Sequence, residues 1–336
     1  MSPNTVAAST VGTRQSIRSG IHGLISKHFG VFSILIVFIV LFTFFSLKAD
    51  AFLTTENLVN VGRQIAPTVV VATLMTFVIT TGAIDLSVGS TVALSASALA
   101  LLAKSYNPFL ALAATLIIGA TIGFINGYLV AYGKLQSFII TLAALTAVRG
   151  IALLITQGYS TPIQVGWLLA IGQGQFLGLF TPTWLAIATV GGGWYCFTQT
   201  RFGRYVVAVG SNGEALRRSG VEIRRISMFT LVLTGIFSAM AGVLIATRLA
   251  SGSSNSGTGF ELEVITAVVL GGTNLMGGRG SILGSLLGAL TLGIISNGLV
   301  LLHVDVYWVP ISQGVILILA IFLNSSIFAR IIRSLR

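Results

Sequence analysis

The sequence predicts an all-α membrane protein, and three observations support this fold class. Only 8% of the 336 residues are charged and 54% are hydrophobic, whereas ordinary soluble domains carry about 25% charged residues. The hydrophobic residues form blocks close to the roughly 20 residues that a helix needs to cross a bilayer. The basic residues lie mainly between these blocks. We therefore expect a single bundle of about ten transmembrane helices with both termini in the cytoplasm.

The predicted elements follow the chain in order. Residues 1–28 are polar and basic and predict a cytoplasmic tail, and residues 29–47 carry no charge and predict the first span. That block is longer than the core of a signal peptide, so we expect it to be retained. Nine further blocks predict spans at 64–83, 86–104, 109–132, 138–157, 178–198, 226–250, 260–277, 280–302 and 308–325. Residues 29–325 would then form one transmembrane domain, followed by a basic cytoplasmic tail at 326–336.

Two connecting segments are too polar or too interrupted to cross a bilayer. Residues 51–63 carry Glu56 and Asn57, and residues 158–177 are broken by glycine, proline and glutamine. We expect both segments to lie on the outer face of the bundle.

The distribution of basic residues predicts the orientation of the bundle. With ten spans and an internal N-terminus, most basic residues fall inside, in the two tails, at Lys134, in the loop 199–225 and at Arg279. Cytoplasmic segments of membrane proteins carry such an excess of Lys and Arg. The net charge of +11 therefore indicates an oriented membrane protein and not one that binds nucleic acid.

Two spans share a pattern of small residues. Glycines recur every four residues in the fourth and ninth spans, at Gly119, Gly123 and Gly127 and at Gly280, Gly284 and Gly288. Such a stripe lets a neighbouring helix approach closely, so we expect helix packing at these positions. The two spans lie five apart and run in opposite directions, which predicts two five-helix halves related by inversion. The alternative is coincidence in a chain with 39 glycines.

The longest polar run between two apolar blocks is the loop 199–225. It contains six arginines against two glutamates. We expect a short helix from Asn212 to Ser219, capped by Ser211 or Asn212 and stopped at Gly220. A short rigid helix at the membrane surface suits docking onto a soluble partner. The alternative is that the loop only marks the cytoplasmic side.

Two ionisable residues fall inside apolar sequence. Asp85 is a candidate proton relay, because an ionisable residue within a membrane is a functional candidate by default, or a cap for the helix that follows. The cap is favoured, since a proton-coupled carrier would need further buried acids and the sequence offers no convincing second one. Arg149 either lines a polar cavity or extends to an interface, and both interpretations stay open.

Several chemistries have no matching pattern in the sequence. The glycine run GGTNLMGGRGS at 271–281 lacks the Lys and the Ser/Thr of a nucleotide-binding loop, and we expect it to break a helix. The lone Cys196 excludes a disulfide framework, and three scattered histidines cannot build a zinc site. We therefore expect a transport protein without catalytic or metal-binding residues. If ATP drives the transport, another subunit must hydrolyse it.

Four stretches of the sequence resemble one protein family. They read GAIDLSVGS at 82–90, TRFGRYVVAVGSNGEALRRSGVE at 200–222, GTGFELEVITAVVLGGTNLMGGRGSILGSLLGAL at 257–290 and NGLVLL at 297–302. They resemble the membrane permeases of bacterial ABC importers, in the branch that takes up monosaccharides such as ribose, xylose, arabinose and galactose. The similarity extends from about residue 52 to residue 323 and so covers most of the chain.

The resemblance implies that the loop 199–225 holds a coupling helix that inserts into a groove of an ATP-binding subunit. The residues to which this role carries over are Gly203, Arg204, Gly210, Asn212, Glu214, Ala215, Arg217, Ser219 and Gly220. The sequence departs from the family pattern at Leu216, where the family usually has a second alanine, and at Glu263, where aspartate is common.

The resemblance also implies partners and a location. ATP and magnesium would bind the ATPase subunit and no cofactor would bind this chain, while a periplasmic sugar-binding protein and a second permease subunit would complete an importer in the bacterial inner membrane. Candidate pathway residues are Asp85, Ser87, Asn126, Asn274 and Asn297, and helix packing is the alternative role of each. Alternative solutes are nucleosides, branched-chain amino acids and a furanose signal. A proton-coupled secondary carrier is a further alternative.

Overall fold

A computed structural model describes residues 33–305 and 307–324. The predicted tails at 1–28 and 326–336 lie outside the described residues, as do the first residues of the predicted span 29–47. The described chain is helical apart from its connections and four two-residue strands. The predicted all-α fold class is therefore confirmed.

The helices and strands have the following bounds. The helices are α1 Ser33–Lys48, α2 Thr55–Thr80, α3 Val88–Ser105, α4 Pro108–Ala131, α5 Ser137–Thr156, α6 Gly166–Gln173, α7 Thr181–Gln199, α8 Arg201–Arg218, α9 Ile223–Arg248, α10 Phe260–Leu270, α11 Ile282–Leu301 and α12 Trp308–Asn324. The strands are β1 Thr161–Pro162, β2 Gln175–Phe176, β3 Leu179–Phe180 and β4 Ser251–Gly252. Among the described residues, six helices (α2, α3, α4, α5, α9 and α11) are long and apolar enough to cross a membrane. The chain is thus a multi-pass membrane protein.

Each predicted span overlaps one helix, but the predicted start of the second span is wrong. Most of the segment 51–63, expected to lie on the outer face, forms the first turns of α2. The helix starts early because Thr54 precedes it as a cap, its Oγ1 accepting the N–H of Asn57 at 3.3 Å.

The span predicted at 260–277 is also wrong, because the helix stops after 11 residues at Leu270. The residues that follow cannot continue it. Gly271 lies directly against the backbone of Gly284, and Gly272 has a φ of +87°, which favours glycine. Residues 271–281 therefore form a loop between α10 and α11, as the glycine run predicts.

Burial separates a central group of helices from a peripheral one. Over its most apolar stretch, 83% of α2 is buried inside the protein, against 17% of α5 and 22% of α4. The helix α9 lies at the centre and packs against α2, α3, α4, α6 and α8. The exposed apolar surfaces of α4 and α5 suit contact with lipid, which is as apolar as their side chains.

The bundle has two ends that differ in structure. At one end, α8 lies beside the C-terminal end of α2 and the loop 271–281; we call it the α8 end. At the other, β2 and β3 form a hairpin and β1 pairs with β4, which joins the connector before α7 to the segment after α9. We call this the hairpin end. The predicted connector 158–177 lies here and contains α6, whose Leu168 is fully buried.

The glycine stripes lie at close helix contacts. Gly119, Gly123 and Gly127 of α4 face α9, and a Cβ on Gly127 would lie 2.9 Å from the carbonyl oxygen of Met228. Gly284 and Gly288 of α11 lie against the backbone of Gly271 and Ala267. Gly280 precedes α11, which begins at Ile282, and contacts Thr80 and Phe197.

Candidate functional site

The first half of α8 is a helix that packs on the bundle, and the sequence analysis predicted no helix there. Thr200 caps it, its Oγ1 accepting the N–H of Gly203 at 3.3 Å. Val206 is fully buried, and the ring of Phe202 lies 6.0 Å from that of Phe77 in α2. The apolar residues at helical spacing, from Phe202 to Val209, were the available signal for this half.

The second half of α8 is the short helix predicted from the sequence. The backbone breaks at Asn212, which has φ −159° and ψ 82°, and the Asn212 side chain accepts the N–H of Ala215 at 3.0 Å. Gly220 has a φ of +83° and donates its N–H to Arg217, while Val221 donates to Leu216. This pair of bonds around a left-handed glycine is a Schellman motif, and it terminates the helix.

The coupling residues inferred from the resemblance divide between two surfaces. Gly203 is buried and Gly210 packs against Thr80 and Gly278, so both face the protein itself. The others are exposed at the surface, namely Arg204, Asn212, Glu214, Ala215, Arg217, Ser219 and Gly220. The exposed set concentrates on the second half of α8.

Charged side chains at the α8 end are exposed and only partly paired. The Glu214 carboxylate accepts bonds from Arg217 at 2.8 and 2.9 Å and from Arg218 at 3.2 Å. The bonds from Arg217, and then those from Arg218, lower the pKa of the Glu214 carboxyl below its ordinary value. Two arginines thus share one carboxylate, and this leaves an excess of positive charge on the surface.

Three of the candidate pathway residues form one buried network. Asp85, which is 1% exposed, accepts the backbone N–H of Ser87 at 2.9 Å and its hydroxyl at 2.6 Å. The same Ser87 hydroxyl accepts a bond from the Asn126 amide at 2.9 Å. Asp85 therefore organises the turn that leads into α3 and connects it to α4. The N-cap position of α3 is occupied by Ser87, whose side chain makes no capping bond, so the cap role of Asp85 stays a prediction.

The other two candidates, Asn274 and Asn297, lie apart from this network. Asn274 shapes the loop 271–281: its side chain accepts the N–H of Met276 at 3.1 Å, and its carbonyl accepts that of Gly277 at 2.9 Å. Asn297 of α11 exchanges two amide bonds with Asn57 of α2, at 2.9 and 3.0 Å, at the hairpin end.

Arg149 binds backbone carbonyl groups at the hairpin end. Its guanidinium donates to the carbonyl oxygens of Ser254 at 2.8 Å, Ser256 at 3.0 Å and Gly257 at 3.2 Å. The side chain of α5 thereby fixes the segment between β4 and α10. The sequence left the role of Arg149 open, and no local pattern points to these acceptors.

The sequence analysis did not predict that a second group of ionisable residues comes together at the hairpin end. Glu263 of α10 accepts a bond from Thr68 of α2 at 2.9 Å, and Arg248 donates to the carbonyl oxygen of Gln64 at 3.3 Å. Arg63 lies 4.1 Å above the ring of Phe180. Glu263 is thus a half-buried acid, and nothing in the sequence pattern around it indicated that it would be less exposed than other glutamates. Across 33–305 and 307–324, no three His, Cys, Asp or Glu side chains lie close enough together to hold a metal ion.

The fold and this site define a class of protein, a multi-pass helical membrane protein with an exposed surface helix. The chain belongs to the family described as "Branched-chain amino acid transport system / permease component", which matches residues 57–321. It is a permease subunit of the ABC importer type.

Three similar proteins are permeases named for a particular sugar. The chain is 39% identical over 298 residues to the ribose import permease protein RbsC of Escherichia coli K12, which covers 87% of this chain and 92% of that protein. It is 35% identical to the L-arabinose ABC transporter permease protein AraH of Azospirillum brasilense, over 91% of this chain and 90% of that protein. It is 32% identical to the xylose transport system permease protein XylH of E. coli K12, over 91% of this chain and 94% of that protein. No solved structure matches the chain.

Proposed function

We propose that the chain forms the membrane pathway for a monosaccharide in an ATP-driven importer. The observation that carries this proposal is the identity of 39% to a ribose import permease over 87% of the chain. The relatives named for arabinose and xylose support the same solute class. Ribose, arabinose and xylose are all five-carbon sugars, so pentoses are the first solutes to test.

The proposed architecture has ten membrane segments in two inverted halves of five, and the short helix α10, with the segments that flank it, forms one of them. The ten predicted spans each overlap a helix, and α4 and α11 carry the glycine contacts that suggested the inversion. The α8 end faces the cytoplasm of a bacterial inner membrane in this arrangement. The exposed arginines of α8 support that orientation, because basic residues concentrate on the cytoplasmic side.

The second half of α8 docks into a separate ATPase subunit, which binds ATP and magnesium. Its exposed set of residues and its rigid caps at Asn212 and Gly220 support this role. A periplasmic sugar-binding protein delivers the solute to the hairpin end. A second permease subunit, identical or different, completes the pathway.

Transport follows from movement of α8. Closure of the ATPase subunits moves α8, and α7 and α9, which flank it in the chain, switch the pathway between inward and outward access as rigid bodies. The buried network of Asp85, Ser87 and Asn126 lies between α3 and α4 and is the candidate polar lining. Its alternative role is packing between those helices.

Uptake by the assembled importer tests the proposal. Vesicles that carry this chain and its ATPase subunit receive ATP inside, and the binding protein and one labelled solute are added outside. We expect ATP-dependent uptake of ribose, arabinose or xylose. The alternative solutes are a nucleoside, a furanose signal and a branched-chain amino acid, which the family's description names. ATP-dependent uptake of one of these would overturn the proposed solute class, while the role as an importer subunit would stand. Absence of any ATP dependence would overturn the proposal.

A proton-coupled carrier is the alternative from another class, and Asp85 is its candidate relay. Replacing Asp85 by Asn keeps an acceptor for both bonds from Ser87 and removes the titratable proton. We expect Asp85→Asn to retain uptake and Asp85→Ala to lose most of it. Loss of uptake in a folded Asp85→Asn variant, with accumulation driven by a pH gradient in the parent chain, would favour the carrier.

A further inference from the structure

Four glycines from three separate segments meet at the α8 end. We call Gly82, Gly210, Gly277 and Gly278 the glycine junction. A Cβ on Gly277 would lie 2.9 Å from the nitrogen of Gly82 and 3.1 Å from the Cα of Gly210. A Cβ on Gly210 would contact the carbonyl oxygen of Thr80 and the nitrogen of Gly278. The three backbones therefore touch without side chains between them.

Hydrogen bonds hold the junction together. Gly278 donates its N–H to the carbonyl oxygen of Thr80 at 2.9 Å, which fastens the loop 271–281 to the end of α2. Ser211 shares its one hydroxyl proton between the carbonyl oxygen of Val207 in its own helix, at 2.9 Å, and that of Gly278 in the loop, at 3.3 Å. Gly277 and Gly278 have φ values of +83° and +77°, so this turn needs glycine for its own conformation as well.

The junction lies between the kink of α8 and two breaks in the helical bundle. Gly210 and Ser211 immediately precede the kink at Asn212. The segment 81–87 leads from the junction to Asp85 and Ser87, and the loop 271–281 connects α10 to α11. Along the chain, α8 adjoins only α7 and α9. Contact through the junction is therefore a second route from α8 into the bundle.

We propose that the glycine junction transmits the movement of α8 directly to the segment 81–87 and to the loop between α10 and α11. This inference rests on the proposed function of α8 as the coupling element and adds the route by which its movement reaches the pathway. Backbones in direct contact move as one body, because close-packed interfaces switch between arrangements and do not deform continuously. Gly210, Gly277 and Gly278 are thus positioning residues, and ATP hydrolysis itself does not need them.

A matched pair of glycine variants in α8 tests the route. Gly210→Ala forces a Cβ into the junction, whereas Gly213→Ala on the same helix places a Cβ only 3.5 Å from the flexible end of Ile223. Both are assayed in the complete importer with ATPase subunit and binding protein. We expect Gly210→Ala to keep ATP hydrolysis and to lower sugar uptake per ATP by about tenfold, as overpacking of a tight contact would. Because Gly213 lies in the docking half of α8, Gly213→Ala would at most lower hydrolysis and uptake together, and its sugar uptake per ATP should match that of the parent chain.

If Gly210→Ala fails to fold, two further measurements still test the glycine junction. Ser211→Ala adds no atoms and removes the hydroxyl that bonds to Gly278 and, within α8, to Val207, so we expect a smaller loss of uptake per ATP with hydrolysis intact. Spin labels on Arg201→Cys and Met276→Cys, both exposed, report the distance between the loop and the first half of α8, which carries Gly210. We expect this distance to stay constant between nucleotide-free and ATP-trapped importer.

The outcomes separate the two proposals. If the parent importer shows no ATP-dependent uptake, the proposed function fails. If the parent works but Gly210→Ala transports as much sugar per ATP as Gly213→Ala, only the junction is overturned. A change of the label distance between nucleotide states in a working importer overturns it as well.

Discussion

The two ends of the bundle use charged residues in opposite ways. At the α8 end the arginines are exposed, and Arg217 and Arg218 share a single carboxylate. At the hairpin end, Arg149, Arg63 and Arg248 bind backbone carbonyls or an aromatic ring of the same chain. Charge at the α8 end thus remains available to another molecule, whereas charge at the hairpin end stabilises the fold. The following changes test this contrast, from the largest expected effect to the smallest.

Replacing Gly220 by Val should abolish ATP-coupled uptake. Gly220 has a φ of +83°, and a Cβ on it would have no neighbouring atom within 4 Å, so a β-branched residue meets backbone strain of roughly 1–2 kcal/mol and not a clash. The end of the docking helix would be lost outside the bundle, so insertion and thermal stability should stay near those of the parent chain. Uptake in vesicles and binding of the ATPase subunit measure the effect. Normal uptake in Gly220→Val would contradict the proposal that this helix docks onto the ATPase subunit.

Replacing Arg149 by Met should destabilise the hairpin end. Three carbonyl oxygens lose the guanidinium as a donor, although that of Gly257 keeps the N–H of Phe260, and each buried group left unsatisfied costs about 1–3 kcal/mol. We expect a lower thermal unfolding temperature and faster labelling of a cysteine placed at Asn255. The control is Arg201→Met, which removes an exposed arginine at the α8 end and should change stability by no more than about 0.5 kcal/mol. Equal effects of the two variants would contradict the contrast between the ends.

The pair Asn57 and Asn297 should show coupled stability. Each single change to Leu leaves the other, half-buried amide without its partner across the two helices, although Asn57 keeps its bond to Phe52, and we expect a loss of about 1–2 kcal/mol. The double variant removes both amides and should be more stable than the sum of the single effects predicts, with a coupling of about 0.5–1 kcal/mol. Unfolding in mixed micelles measures all four proteins. Strict additivity would mean that the two amide bonds contribute nothing at the hairpin end.

The smallest effect concerns the pH dependence of α8. Arg217 and Arg218 lower the pKa of Glu214 below its ordinary 4.5, so the stabilisation is fully present above that value and is lost as the pH falls through the lowered pKa. Hydrogen exchange of the amides of residues 213–218, corrected for its intrinsic pH dependence, should therefore show constant protection from neutral pH down to about 5. In Glu214→Gln the protection should be slightly lower and independent of pH. A loss of protection between pH 7 and 6 would show that another group holds this helix.

Local patterns were sufficient to predict most of the long helices and the short helix from Asn212 to Ser219. Apolar blocks gave the positions of the spans, and Asn212 with Gly220 gave both ends of the short helix, because caps and left-handed glycines act within a few residues. The early end of α10 at Leu270 was not predicted, since it depends on the contact of Gly271 with Gly284. A backbone contact between distant segments leaves no periodicity in the sequence.

The candidate site was predictable only in part for the same reason. Asp85 and Ser87 are two residues apart, so their turn follows from residue type, whereas the bond from Asn126 joins residues 39 positions apart. The acceptors of Arg149 are backbone oxygens about a hundred residues further along the chain. Any residue type presents such an oxygen, so composition carries no signal for it.

The kink at Asn212 has a consequence for how such permeases diverge. The piece from Asn212 to Gly220 is closed at both ends by its own residues, so its shape does not depend on the bundle beside it. We expect that this piece can be exchanged between related chains as a cassette, which would redirect a permease to a foreign ATPase while leaving its choice of solute untouched. Chimeras that accept the foreign ATPase but import the original sugar would demonstrate this modularity.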